Sequence, residues 1–511
     1  MHDYVIVGAG TAGCVLAARL TEDPDVSVLL LEAGPSSRKL EVRVPAAFSL
    51  LYRSDVDWGY STVPQPELAG RELVFPLGRM LGGSASMNAM IVARGNRLDY
   101  EEWETVAPGW SWADVEPYYA RSAGGPFRID DQRDPSPLTA AFVESARAVG
   151  IPVSPDLNLP ENDGVGLVGV SQKRGRRFSV LDGYLRPAMR RPNLTVQSNA
   201  LVTGVVLEGT RAVGVTVRVN GDDEEVTASR GVILAAGAVG SPRVLQLSGI
   251  GPRETLADAG VPVVHELGGV GEGLRDHVAT GIFVRARPGV ETLTSARSLR
   301  NVLRWLVPGR GPLTSNVAEA VAFVRTAPDL PAPDVEIVFA PVPFEDEGLA
   351  LPTEHGVTLG AVQLRPRSLG SVRIRSGDPL APPAIDPAFL RDPADEGPLL
   401  WGLRLARRIA AEEPLASYLA EEMLPGPEAE DDEALLTHVR ERSQTLYHPV
   451  ASCRMGTDDD AVVDPGLRVR GLEGLRVVDA SVMPCLPRGH TNWPTVMVAE
   501  RAADLIAAER A

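Results

Sequence analysis

The segment Gly8-Ala9-Gly10-Thr11-Ala12-Gly13 has the spacing of a loop that lets a backbone approach a phosphate. Gly8 allows the tight turn, Gly10 a close approach to a pyrophosphate, and Gly13 close packing of helix on strand. Glu32 lies 19 residues beyond Gly13, where a carboxylate accepts hydrogen bonds from a ribose diol. The combination points to dinucleotide binding. It does not separate NAD from FAD, and the carboxylate disfavours a 2′-phosphate.

The loop needs a strand before it and a helix after it. Tyr4–Val7 is a short apolar run, Thr11–Leu20 carries apolar residues at mostly helical spacing, and Val26–Leu31 is a second apolar run. All-apolar strands joined by a helix predict a parallel sheet covered on both faces. Residues 35–130, rich in Pro, Gly and Trp, read as loops and short helices that cover something. Leu138–Val149 reads as a helix. Leu194–Gln197, Ala200–Leu207, Arg211–Val219 and Val226–Ala228 read as a β-meander with an Asn220-Gly221 turn. Gly231–Ala236 is again fully apolar, and Gly237–Leu247 starts a helix.

Between 280 and 440, β-like segments (Gly281–Arg285, Ala320–Arg325, Val335–Phe339, Val357–Leu364, Ser371–Ile374) and a helix at Leu399–Glu412 suit an antiparallel sheet in a second domain. The strand Leu475–Val478 and helix Pro494–Ala508 return to the first style. The fold expected is α/β: a Rossmann-like nucleotide-binding domain from residues 1–130, 190–280 and 440–511, with an inserted α+β substrate domain from 131–189 and 281–439.

Composition narrows the function. Sixty-seven acidic residues against 50 basic give a net charge of −17, a poor global match to nucleic acid or an anionic membrane; the sum does not exclude a local basic patch. Only Lys39 and Lys173 are lysines, and the arginine excess reads as codon bias. Cys14, Cys453 and Cys485 form no CxxC pair, so neither a disulfide framework nor a metal site is expected. No basic-then-apolar leader and no run of about 18 apolar residues is present, so the expectation is a cytoplasmic protein without a membrane span.

Five further blocks discriminate. Gly78-Arg79-Met80-Leu81-Gly82-Gly83-Ser84-Ala85-Ser86-Met87-Asn88 resembles the flavin-side glycine loop of the glucose–methanol–choline (GMC) oxidoreductases. The stretches Gly237–Pro242 with Leu247–Gly251, Gly269–His277, His448–Gly456, and Leu475–Pro484 with Gly489–Thr495 are similar to the family's later blocks, in the same order. The resemblance implies FAD, and a choline dehydrogenase-like or alcohol oxidase-like member. It implies cofactor contacts at Gly8, Gly10, Thr11, Ala12, Gly13, Glu32 and Ala33. It implies more at Gly78, Arg79, Gly82, Gly83, Ser84 and Asn88, at Val202, Ala236 and Gly237, and at Asp479, Ala480, Thr491 and Asn492. Ala85 and Val92 depart from the family's usual residues. Met87 stands where members with covalent flavin carry histidine, so dissociable FAD is expected. The stretch Arg121–Ile129 is short where many relatives carry a longer loop over the entrance.

Hydride leaves an alcohol carbon more easily once the hydroxyl proton is leaving, and histidine suits that proton. By resemblance, His448 and His490 meet before the flavin, one as base and the other as partner to the alcohol oxygen; His448 is assigned as base and His490 as partner, with the exchanged assignment open. Hydride goes to flavin N5, and oxygen or another acceptor takes the electrons onward. The implied activity is oxidation of an alcohol to an aldehyde or ketone; the alternative is a hydroxynitrile lyase-type or other non-redox enzyme on the same fold. His2, His265, His277, His355 and His438 read as packing or surface residues. Tyr447 and Trp493 flank the pair as candidate substrate contacts. Asp479 follows a strand and can accept a ribityl or ribose hydroxyl. Thr491 and Asn492 read as helix-capping residues, and the helix they open aims its positive end at the flavin. Arg174-Gly175-Arg176-Arg177 reads as a solvated basic turn.

Overall fold

The computed structural model describes residues 1–509 apart from Ser37, Arg38 and Glu345. The apolar runs at the N-terminus form the expected unit: strand His2–Val7, helix Thr11–Leu20 and strand Val28–Glu32. They sit inside a parallel sheet of five strands in the order Leu194–Ser198, Val28–Glu32, His2–Val7, Asp222–Leu234, Leu475–Val477. Every residue of Val28–Glu32 is buried, as expected for a strand covered on both faces.

Asp222–Leu234 corrects one expectation. The meander's last strand and the following apolar strand are a single 13-residue strand. Its first half pairs antiparallel with Arg211–Val219, and its second half pairs parallel with His2–Val7. The register shift between His2 and Tyr4 falls where the strand changes role.

The second sheet is antiparallel, in the order Leu419–Leu424, Val278–Ala286, Gly356–Gln363, Val335–Ala340, Ala320–Val324, Gly164–Leu167. Helix Glu396–Ala410 packs on it through Leu399, Leu403, Ala406 and Ile409, an i, i+4, i+7 pattern that buries one face. Gly370–Arg373 is not part of this sheet. It pairs with Glu272–Leu274 and Ala384–Asp386 in a small separate sheet. The loop-rich stretch before residue 130 contains two capped helices, Arg97–Val106 and Trp112–Ala123. Each has a side-chain capping box, Asn96 with Asp99 and Ser111 with Asp114.

Candidate functional site

A cavity of about 380 Å³ reaches from the glycine loop after the first strand to the antiparallel sheet. Gly8 adopts φ +98°, and a Cβ on Gly13 would collide with the Gly8 carbonyl oxygen. A Cβ on Gly83 would lie 2.7 Å from the Cα of Gly10, so the two glycine loops touch. Helix Thr11–Leu20 starts without a side-chain cap or an acidic residue in its first turn, leaving free N–H groups for an anion. Helix Asn492–Ala508 likewise starts uncapped, and Asn492, Thr491 and Thr495 face the same cavity. The expected cap by Thr491 is therefore not made. The Asn492 side chain instead accepts a 2.9 Å hydrogen bond from the Thr11 hydroxyl, joining the two helix starts.

Glu32 is buried, and its two oxygens accept from the Ala9 and Gly34 N–H groups, each at 2.9 Å. Burial pushes its carboxyl up to about 7. Each oxygen has one protein donor and keeps acceptor capacity, and Glu32 lines the cavity, which suits a diol. Asp479 differs. It accepts from Gly237 N–H at 2.9 Å, Ser241 Oγ at 2.6 Å, Ser481 N–H at 2.8 Å and Ser481 Oγ at 2.5 Å. Its acceptor sites are filled by the protein, so it holds the wall together and has no vacant lone pair for a ribityl hydroxyl.

Of the expected cofactor residues, Gly8, Gly10, Thr11, Ala12, Glu32, Ala33, Gly78, Gly83, Ser84, Asn88, Val202, Ala236, Gly237, Asp479, Ala480, Thr491 and Asn492 line the cavity. Gly13, Arg79 and Gly82 stand behind the wall. The Gly82 N–H donates to Ala9 O at 2.7 Å, and the Arg79 guanidinium stacks 5.3 Å from the Trp58 ring centroid. An uncapped helix start, touching glycine loops and a diol-facing carboxylate fit FAD. Met87 is buried on the same wall.

At the far end the rings of His448 and His490 meet edge to face, with centroids 4.6 Å apart. Both lie in loops that hydrogen bonds hold from behind. The His448 N–H donates to Asp276 Oδ1 at 2.8 Å, while Thr445 Oγ1 donates to Asp276 Oδ2. Tyr447, in the left-handed region at φ +65°, supplies the sharp turn that presents His448. The His490 N–H donates to Ala93 O at 2.9 Å.

The two histidines do not stand alone. His277 Nε2 faces the Leu364 carbonyl at 3.1 Å, and its Nδ1 faces His448 Nδ1 at 3.0 Å. A carbonyl only accepts, so neutral His277 carries its proton on Nε2 and presents Nδ1 as an acceptor. His448 must then donate from Nδ1, and its Nε2 lone pair is left free. Burial and neighbouring imidazoles hold His277 down at about 3 and His448 well below the usual histidine range, so both stay neutral near pH 7. His490 Nε2 faces Glu336 Oε1 at 3.0 Å; a carboxylate oxygen accepts, so this contact places an N–H on His490 Nε2. Burial raises Asp276 to about 7.

Reading His277 as a packing residue missed this relay. Its position next to Asp276 within a motif block was the available signal. Glu336 was also missed, and the signal there was an acid inside the apolar run Val335–Phe339. His265 and His438 bond backbone carbonyls at Arg470 and Gly281, and His355 bonds Thr292. Tyr447 lines the cavity, in edge contact with Tyr52. Trp493 does not. It stacks on Phe127 and donates to Ser122 Oγ at 2.9 Å, because its helix turns that face into the nucleotide-binding core. The basic turn is also not uniformly solvated. Arg177 is buried and donates to Val42 O, Ala85 O, Asn88 O and Asn88 Oδ1.

Comparison with known proteins agrees with this architecture. Two GMC oxidoreductase family models match residues 2–279 and 366–499. An uncharacterized GMC-type oxidoreductase of Mycobacterium tuberculosis is 46% identical over 99% of each chain. An alcohol dehydrogenase [acceptor] of Pseudomonas putida is 38% identical over 99% of this chain and 96% of its own. The crystal structure of pyridoxine 4-oxidase from Mesorbium loti superposes with a TM-score of 0.91 at 31% identity, covering 99% of both chains. The chain belongs to the GMC oxidoreductase family of FAD-dependent oxidoreductases.

Proposed function

We propose that the protein oxidises an alcohol to an aldehyde or ketone, with His448 as the base. The observation that carries this is the fixed tautomer: Leu364 O, His277 and His448 form one chain that ends on a free Nε2 lone pair beside His490. Bound FAD supplies the acceptor for the hydride. His448 Nε2 takes the hydroxyl proton, and His490, its Nε2–H held by Glu336, positions the alcohol beside that base. Beside the pair, Phe48, Tyr52, Phe344 and Tyr447 form contiguous ring contacts at 5.5–6.4 Å. These walls exclude water and favour an alcohol with an apolar or aromatic body.

The test is anaerobic mixing of the yellow holoprotein with a panel of apolar and aromatic alcohols. Bleaching supports the reading, and His448→Ala lowers its rate by ~10²–10⁴. An unbleached flavin across the panel, or cyanohydrin cleavage in its place, overturns it.

A further inference from the structure

An exposed apolar stripe lies on the opposite side of the flavin-side glycine loop from the cofactor cavity. Helix Leu299–Leu306 buries Asn301 and Trp305 but exposes Leu299 by 76%, Leu303 by 53%, Leu306 by 49% and, just past its end, Val307 by 85%. These positions follow an i, i+4, i+7, i+8 spacing and form one stripe on the solvent side. Arg300 and Arg304 follow Leu299 and Leu303 directly and flank that stripe. A short helix with a bare apolar face and an arginine flank is not explained by the core it covers.

The C-terminal end of the stripe borders a second cleft of about 520 Å³. Arg43, Arg133, Lys173, Arg174, Arg176 and Arg177 converge on this cleft. None of the six is ion-paired among the described residues, in a chain where acids outnumber bases 67 to 50. Arg43, Arg133, Lys173 and Arg174 are exposed. Helix and cations are one built unit. Trp305 Nε1 donates to Gly175 O at 2.9 Å, Arg176 stacks 4.6 Å from the Trp305 centroid, and Arg133 Nε donates to Gly309 O at 2.6 Å. An apolar stripe beside unpaired cations complements a surface that is apolar below and anionic above, which is the interface of an acidic bilayer. The chain's net charge of −17 works against non-specific attraction to such a surface, so binding must come from a local patch.

We propose that this face docks the protein peripherally on a membrane rich in anionic lipid, with Leu299, Leu303, Leu306 and Val307 entering the headgroup boundary and the cleft arginines holding lipid phosphates. No helix among the described residues is long and apolar enough to cross a membrane, so the contact is one of surface insertion. Arg177, at the floor of the cleft, also bonds Ala85 O and Asn88 O of the flavin-side loop. The docked face is thus separated from the cofactor cavity by that loop.

The experiment is cosedimentation of the holoprotein with phosphatidylcholine vesicles, with and without about one-quarter phosphatidylglycerol. Binding is expected only with the anionic lipid, and it weakens as salt rises. Arg43→Ala with Arg174→Ala lowers the partition coefficient roughly tenfold or more. Leu303→Asp with Val307→Asp abolishes binding, while both double variants keep their flavin and their thermal melting profile. Absence of binding to anionic vesicles at low salt overturns the proposal. So does equal binding to neutral vesicles, or a stable dimer in solution that Leu303→Asp with Val307→Asp dissociates, which assigns the stripe to a second copy. Vesicle binding needs no turnover, so this result and the alcohol reading fail or stand separately.

Discussion

His448 is a base only while its proton sits on the correct nitrogen, and that depends on a residue without access to the substrate. His277 accepts from His448 Nδ1 because the Leu364 carbonyl occupies its other nitrogen. His277→Leu removes the acceptor and frees His448 to carry its proton on Nε2, the nitrogen that must be empty. A loss of roughly 10–100-fold in kcat/KM is expected, the scale of removing a partner that orients a reactive imidazole. His277→Asn restores most of the rate, since its Oδ1 can stand where Nδ1 stands. Selective ¹⁵N labelling of the seven histidines reads the tautomer directly. A wild-type His448 protonated on Nε2, or a leucine variant with an unchanged tautomer, refutes the relay. Met87 carries a separate expectation at this scale. A thioether cannot form the bond that histidine makes to flavin, so acid precipitation is expected to leave the yellow colour in the supernatant. Colour retained in the pellet refutes dissociable FAD.

At the scale of elements, the cavity depends on backbones that approach without side chains between them. Gly83 and Gly10 belong to loops more than seventy residues apart in the chain, yet a Cβ on Gly83 meets the Gly10 Cα at 2.7 Å. Gly83 also has φ +51°, which strains any L-residue. Gly83→Ala is therefore expected to push the loops apart and lower FAD affinity by at least tenfold, with the antiparallel sheet intact by circular dichroism. Titration of the apoprotein with FAD measures it, and wild-type affinity would show that the loops yield. The parts legible in the sequence were those with local signals. Strand, glycine loop and helix over residues 4–20 announce themselves by periodicity, and the helices expected at 237–247 and 494–508 form as Gly237–Leu247 and Asn492–Ala508, although the cap expected at Thr491 is not made. What was not legible depended on partners distant in sequence. Asp222–Leu234 changes sheets halfway because its neighbours do, which no pattern within it records. Trp493 sits beside His490 in sequence, but the helix carries it to Phe127. His277 and Glu336 become functional only through a carbonyl at Leu364 and a ring at His490.

At the scale of the whole molecule, both ends of the chain close on one cavity, and the charges buried there make stability depend on pH in opposing ways. His277 titrates near 6.5 when unfolded and is held at about 3 when folded. Between those values the unfolded chain binds the extra proton, so this contribution is present above pH 6.5 and is lost as pH falls toward 3. At pH 5 the loss amounts to about 2 kcal/mol. Glu32 and Asp276 act in the other sense. Their carboxyls are raised to about 7 by burial, so the folded chain holds protons that the unfolded chain has released, and lowering pH through 7 favours folding. The wild-type profile therefore mixes the two and comes out flatter than either. A difference measurement separates them. Asn cannot ionise but keeps an acceptor for His448, so His277→Asn is expected to gain about 2 kcal/mol relative to wild type between pH 7 and pH 5. Denaturant midpoints of both proteins at the two pH values measure this. Parallel profiles would mean that His277 is protonated in the folded protein, and the tautomer chain from Leu364 to His448 would fall with it.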